Sequence, residues 1–445
     1  MNILFVSLGC DKNLVDSEVM LSLLKQSGYN ITNDEQEADA AVVNTCCFIH
    51  DAKEESIQTI LELAQLKQTA RLQALIVTGC LAQRYQDEIR KEIPEVDAIL
   101  GSTNIDDIVS VVTQAVEGKK VNCCKDIHYL PSGLTDRVVT TGHAMAYLKL
   151  AEGCNKRCTY CIIPYLRGNY RSIPMEEILE TAGKLAAEGY QELVLVAQET
   201  TVYGQDLYGE KRLPRLLEEL SRIEGIHWIR LLYCYPEEIT DELIRTMAEN
   251  EKVCHYIDMP IQHSEDAILK AMGRRTSQKQ IWDVVSRLRT AMPDIVIRTT
   301  LITGFPGETK EQHEALLEFV DEMEFQRLGV FTYSPEEGTK AADYPNQIEE
   351  EEKKRRQDEI MALQQEVSYD NNQKMLGAIL EVLVEGYLYE EDIYIGRSYR
   401  EAPNVDGYIF ISAEEEIISG ELVRVRITDA NEYDLIGEVV YEFTE

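Results

Sequence analysis

Short apolar runs separated by amphipathic stretches dominate the first 370 residues. In segment 1–120, ILFVSL, AAVVNT and ALIVTG read as buried strands. SEVMLSLLKQSG, AKEESIQTILELAQLK and AQRYQDEIRKEI, which follow them in turn, carry helical spacing. This alternation predicts βαβ units on a parallel sheet of flavodoxin-like type. Residues 121–140, with Pro131, Ser132 and Gly133, read as a linker. Between 140 and 370 the alternation resumes with AYLKLA, ELVLVA, WIRLLY, HYIDMP, IVIRTTLI and RLGVFTY as strands. MEEILETAGKLAAEG and KEQHEALLEFVDEM are among the helices between them. Six βα units suit a partial (β/α) barrel, in which chemistry gathers at the C-terminal ends of the strands. The stretch from 346 to 375 is highly charged, with Glu placed four before Lys or Arg, and reads as a solvated connecting helix. Segment 373–445 changes character. ILEVLVEGY, GYIFIS, ELVRVRIT and LIGEVVYEF are separated by turns, which predicts a small antiparallel barrel of OB type. The fold class is α/β in three units.

Charge narrows the possible partners. Of 445 residues, 79 are Asp or Glu and 44 Lys or Arg, a formal net charge of −35. Such a chain repels polyanions and anionic lipid at long range, which excludes non-specific nucleic-acid or membrane-surface binding and favours a basic partner. No run approaches the roughly 18 apolar residues of a membrane span. The opening MNILFVSLGC lacks a basic stretch and reads as a strand rather than a signal peptide, so a cytoplasmic location is expected.

Eleven cysteines in a cytoplasmic chain do not suit a disulfide framework. Nine of them fall in the first 161 residues, which points to metal ligation. Cys154, Cys158 and Cys161 form C-x3-C-x2-C just after the strand AYLKLA. Three thiolates on one tight loop can hold three corners of an iron–sulfur cubane and leave the fourth iron open. An open iron can chelate S-adenosylmethionine, whose reductive cleavage yields a 5′-deoxyadenosyl radical. A structural zinc site is the competing reading; it needs a fourth ligand, and only His143 is near in sequence. Cys10, Cys46 and Cys80 each end an apolar strand. The C-termini of parallel strands share one edge, so these three converge as a second metal site. Cys47 points the other way and reads as a small buried residue, while Cys123 and Cys124 receive no role.

GCNKRCTYC on a partial barrel resembles the radical SAM superfamily. With SLGCDKNLVDSE, NTCCF, VTGC and a terminal β-barrel matching a TRAM domain, essentially the whole chain resembles the methylthiotransferases. The resemblance implies two [4Fe–4S] clusters, one binding S-adenosylmethionine and one auxiliary for sulfur transfer. It places Tyr160 beside the adenine, Gln198 and Glu199 of LVAQETTVYG near the methionine end, and Gly304 and Gly307 of LITGFPGET along the cofactor. The SLGC…KNLVDSE start is similar to the branch that modifies an aspartate β-carbon of small-subunit ribosomal protein S-twelve, giving 3-methylthioaspartate. The tRNA adenosine branch typically starts TYGCQMN and is the alternative; a two-cluster electron carrier is a further reading from another class. Asp11 departs from the pattern, standing where Pro is common. The implied partners are ribosomal protein S-twelve or the small ribosomal subunit, an external electron donor and a sulfur source, with no membrane and no direct tRNA binding.

Overall fold

The computed structural model describes residues 1–131, 136–142 and 144–441. Ser132 and Gly133 of the expected linker, His143, and the last two residues of LIGEVVYEF lie outside the described residues. The apolar runs become strands because their clustered Ile, Val, Leu and Ala positions can be covered on both faces. The N-terminal sheet comprises β1 (Asn2–Ser7), β2 (Asn30–Thr32), β3 (Ala40–Thr45), β4 (Ala74–Gly79), β5 (Ala98–Leu100) and β6 (Val121–Cys123). Their order is β2-β1-β3-β4-β5-β6, and every pair is parallel. This is the flavodoxin-like winding with an added edge strand. The three-residue strands β2, β5 and β6 are too short for periodicity to reveal, and β6 carries the sheet into the expected linker. Val19, Met20 and Leu24 of helix α1 (Asp11–Gln26) cover one face. Ile60 and Leu63 of helix α2 (His50–Thr69) cover the other.

The central sheet contains β7 (Met145–Lys149), β10 (Glu192–Val196), β11 (Trp228–Leu231), β12 (Val253–Asp258), β13 (Val296–Thr303) and β14 (Arg327–Thr332). A short antiparallel pair, β8 (Ala151–Glu152) and β9 (Arg171–Ser172), follows β7 and closes the neck of the cysteine loop. The six parallel strands lie in sequential order and leave β7 and β14 as open edges, the expected partial barrel. Alternation sorts the side chains. Ala146, Leu148, Leu193, Leu195, Ile229 and Ile257 meet the outer helices. Tyr147, Val194, Val196, Trp228, Cys254 and Tyr256 face inward, against Val15 of α1 and Leu383 and Ala402 of the C-terminal domain.

That last domain is a closed barrel of β15 (Ile379–Leu388), β16 (Ile393–Arg397), β17 (Ile409–Ser412), β18 (Leu422–Ala430) and β19 (Leu435–Val439). Four pairs are antiparallel, and the closing pair β17/β19 is parallel. The segment 397–406 between β16 and β17 plugs the concave face of the partial barrel. Arg397 meets Glu192 at 2.8 Å, Arg230 donates to the Tyr399 carbonyl at 2.6 Å, and Tyr256 donates its hydroxyl to Asp406 at 2.6 Å.

The charged stretch forms helix Glu350–Gln373, but it is not a solvated connector. Lys353, Arg356, Ile360, Gln364 and Val367 are buried. Lys353 donates to the Tyr333 carbonyl at 2.9 Å, Gln357 to Val330 at 2.6 Å and Gln364 to Phe325 at 2.8 Å. Long polar side chains bury their methylene stems and satisfy free carbonyls at and around the open β14 edge, so a polar sequence covers a sheet. Among the described residues no helix is long and apolar enough to cross a membrane.

Candidate active site

Strands β1, β3 and β4 are neighbours, and this places Cys10, Cys46 and Cys80 on one edge. Cys10 caps α1, Cys46 follows β3, and Cys80 opens helix α3 (Cys80–Arg84). The sheet order reverses between β1 and β3, where open α/β sheets bind ligands. Two glycines set the spacing. Gly9 has φ +92°, and a Cβ there would lie 2.9 Å from the Cys46 Cβ and 3.2 Å from its Sγ. Gly79 has φ +91°, and a Cβ would lie 2.5 Å from the Thr45 carbonyl oxygen. The Gly-Cys step therefore lets each loop close down on its neighbour. Beneath the thiols, Asn13 donates to the carbonyls of Leu8 (3.2 Å) and Thr45 (3.1 Å), and its Oδ1 lies 4.0 Å from the Cys80 Sγ. Burial, then the neighbouring Cys80, pushes the Cys46 thiol up to about 12; burial also raises Cys80. Protons must leave these thiols before they ligate a metal.

Cys154, Cys158 and Cys161 occupy the loop between β8 and the one-turn helix Ile163–Leu166. Gly153 (φ +72°) admits the close pass of the chain: a Cβ would lie 2.5 Å from the Gly168 carbonyl oxygen. Thr159 pins the loop to the Ala271 carbonyl through its hydroxyl (2.8 Å) and to Met272 through its N–H (2.8 Å). The Tyr235 hydroxyl is 3.8 Å from the Cys158 Sγ, and the Arg274 guanidinium stacks 4.0 Å above the Tyr235 ring. Burial, then the charge of Cys158 on Cys161, raises the Cys161 thiol; burial raises Cys154 to about 11.

The other expected site residues fall in this neighbourhood. Tyr160 packs against the cluster containing Met272, Phe305 and Tyr333. Gln198 and Glu199 follow β10. The buried Gln198 Oε1 has no hydrogen-bond partner, and the Glu199 Oε2 has only Lys156, an ion pair at 3.5 Å. Burial raises the Glu199 carboxyl to about 7 against the pull of Lys156. Gly304 (φ +72°) has a nearer structural partner, because the Lys353 stem occupies the space a Cβ would need. Gly307 (φ +84°) faces open space. Glu308 ties their turn together, accepting from the N–H groups of Gly304 (2.5 Å) and Phe305 (3.1 Å). Cys47 is buried in the N-terminal core, and Cys123 lies in β6.

Sequence reasoning did not find the joint between the two triads. Ile162 and Leu166, just after Cys161, pack with Cys47, Cys80 and Leu81. Arg167 then enters the N-terminal domain fully buried. It donates to Asp16 at 2.8 Å and Glu152 at 3.1 Å, and also to Asn13. Lys149 completes the group, 2.5 Å from Asp16 and paired with Glu152. Among the described residues no three His, Cys, Asp or Glu side chains are set to hold a single metal ion. That bears on a mononuclear zinc site rather than a cubane, whose irons keep the thiolates apart.

Comparison with known proteins follows this division of the chain. Residues 2–101 match a family described as Uncharacterized protein family UPF0004, residues 148–320 the Radical SAM superfamily and residues 376–440 a TRAM domain. A protein of Lachnoclostridium phytofermentans called ribosomal protein uS12 methylthiotransferase RimO is 57% identical over 437 residues, covering 98% of this chain and 99% of that protein. The chain belongs to the RimO family. Family members of the same name from Acetivibrio thermocellus and Clostridioides difficile are 50% and 48% identical, each covering 98% of both chains. More distant solved structures share the fold. Kitasatospora setae TsrM, a radical S-adenosylmethionine methyltransferase solved with cobalamin and a [4Fe-4S] cluster, aligns with TM-score 0.55 at 13% identity, over 85% of this chain and 80% of that one. OxsB, solved with aqua-cobalamin and S-adenosylmethionine, aligns with TM-score 0.52 at 12% identity, over 80% and 56%.

Proposed function

We propose that this chain is a radical S-adenosylmethionine methylthiotransferase. It attaches a methylthio group to the β-carbon of an aspartate in ribosomal protein uS12, giving 3-methylthioaspartate. The observation that carries this reading is the pair of three-cysteine sets, one on a single loop and one on three strand ends, joined through one buried charge group centred on Arg167. The donor sets fit two [4Fe–4S] clusters: three soft thiols in each, with Arg274 near one and Arg167 near the other to offset thiolate charge. Cys154, Cys158 and Cys161 would hold the S-adenosylmethionine-binding cluster, and Cys10, Cys46 and Cys80 the auxiliary one. When bound, the clusters would supply the electron for reductive cleavage of S-adenosylmethionine and the sulfur to be inserted, while one S-adenosylmethionine would supply the radical that abstracts hydrogen from a barely acidic C–H and a second the methyl. The unpartnered Gln198 Oε1, with the Glu199 carboxylate beside it, suits the ammonium of a bound S-adenosylmethionine. Tyr160 closes the loop side of that site, Gly307 leaves backbone open to it, and the Gly304 turn supports it. An external electron donor and sulfur source complete the reaction, which takes place in the cytoplasm with the ribosome.

The C-terminal barrel favours a basic protein partner over tRNA. Residues 371–445 hold 17 Asp or Glu against five Lys or Arg. Two of those five, Arg397 and Arg400, are buried. Tight tRNA binding needs cations facing phosphates. The exposed run Glu414, Glu415 and Glu416 instead complements a basic ribosomal protein and speeds its encounter. Changing all three to Lys is expected to slow association with uS12 and flatten its salt dependence in stopped-flow binding. The deciding test of function is mass spectrometry of uS12 and of tRNA from a deletion strain. Loss of the methylthio group from uS12 alone is the expected result; loss from tRNA with uS12 unchanged overturns it.

A further inference from the structure

Three lysines are buried among the described residues: Lys12, Lys149 and Lys353. Lys149 is paired with Asp16 and Glu152, and Lys353 with Glu350 and the Tyr333 carbonyl. Lys12 differs. It is 5% exposed, two residues after Cys10 in the first turn of α1, and no carboxylate stands at ion-pair distance from its ammonium. Its polar contact is the face of Tyr233, 3.2 Å from Nζ to the ring centroid. An ammonium removed from water without an anion is costly, and an aromatic face replaces only part of what hydration gave. The neighbouring carboxylates are already committed. Asp11 accepts from the Tyr233 hydroxyl at 2.9 Å, Asp258 accepts from the Tyr233 N–H at 3.0 Å and pairs with Arg298 at 2.9 Å, and Asp16 serves Lys149 and Arg167.

Tyr233 also fixes where the ammonium sits. It lies just past β11 at the rim of the partial barrel, with a left-handed φ of +61° that a non-glycine residue holds only under constraint. Its carbonyl accepts from Thr200, next to the Gln198–Glu199 strand end. Lys12 therefore stands between the Cys10 loop and the barrel rim, beside the place where an auxiliary cluster and a substrate must meet.

We propose that Lys12 anchors the substrate carboxylate. Its ammonium, backed by the Tyr233 ring, receives the side-chain carboxylate of the target aspartate and holds the adjacent β-carbon at the auxiliary triad. The inference rests on the uS12 reading above and deepens it, since it names the group that selects aspartate. An ion pair in so buried a site discriminates strongly against the neutral amide of the same shape.

The test is a double-mutant cycle on binding. Holoenzyme, wild type or Lys12→Met, is titrated with uS12 carrying either the target aspartate or asparagine there, and iron is counted in each preparation. Wild type is expected to prefer the aspartate form by about tenfold or more. Lys12→Met should bind both forms alike with its iron content unchanged, and Lys12→Arg should recover part of the preference. A Lys12→Met enzyme that keeps the full preference overturns the inference and leaves the uS12 reading standing. Loss of iron from Lys12→Met also overturns it, because the lysine would then serve the cluster. If wild type binds neither form, the substrate reading fails and the inference falls with it.

Discussion

Replacing Cys154, Cys158 and Cys161 together by Ala is expected to remove about half the iron and to abolish formation of 5′-deoxyadenosine. Replacing Cys10, Cys46 and Cys80 should remove the other half, with S-adenosylmethionine cleavage persisting and sulfur insertion lost. The split follows from the fold. Each triad is built from its own backbone: one on a single loop closed by β8 and β9, the other on three strand ends spaced by Gly9 and Gly79. Iron analysis with product chromatography separates the two sites. Full iron in the second variant would show that the strand-end cysteines hold no cluster.

The second large effect is expected at Arg167. Its guanidinium lies between Asp16 and Glu152 with essentially no access to water. Arg167→Ala leaves two buried carboxylates facing Lys149 alone, and losing one partner of such a group costs about 3–5 kcal/mol. Burial by itself would raise Glu152, but Lys149 and then Arg167 hold its carboxyl below the ordinary value. The group's stabilisation is therefore fully present above the unfolded carboxylate pKa of about 4.3 and is lost as pH falls below it through the folded value. Arg167→Ala should lower the urea midpoint at neutral pH and move acid unfolding to higher pH. An unchanged acid transition would show that the pairing does not hold the two domains together.

Much of this molecule was legible before folding, for identifiable reasons. The long strands were readable because runs such as AAVVNT and ELVLVA hold four or five apolar residues in succession, rich in Val, Leu and Ala. The cysteine loop was readable because its three ligands lie within eight residues, and the strand-end cysteines because parallel topology gives all three the same address. The polar helix Glu350–Gln373 misled because charge pattern reports solvation only when the side chains end in water. Here Lys353, Gln357 and Gln364 end on buried carbonyls. The three-residue strands β2, β5 and β6 exist through their neighbours, not through a pattern of their own.

Local order along the chain by itself determined the longer elements, the C-x3-C-x2-C loop and the acidity of the last domain, since each depends on residues close in sequence. Only the tertiary structure decided what joins them. Asp16 lies 151 positions from Arg167, and Glu192 lies 205 from Arg397. Tyr233 reaches 222 positions to Asp11. Each pairing brings together charges or polar groups that look like ordinary surface residues in sequence. They become obligatory partners only when packing removes water, because a buried charge must find its counter-charge wherever the fold has placed it.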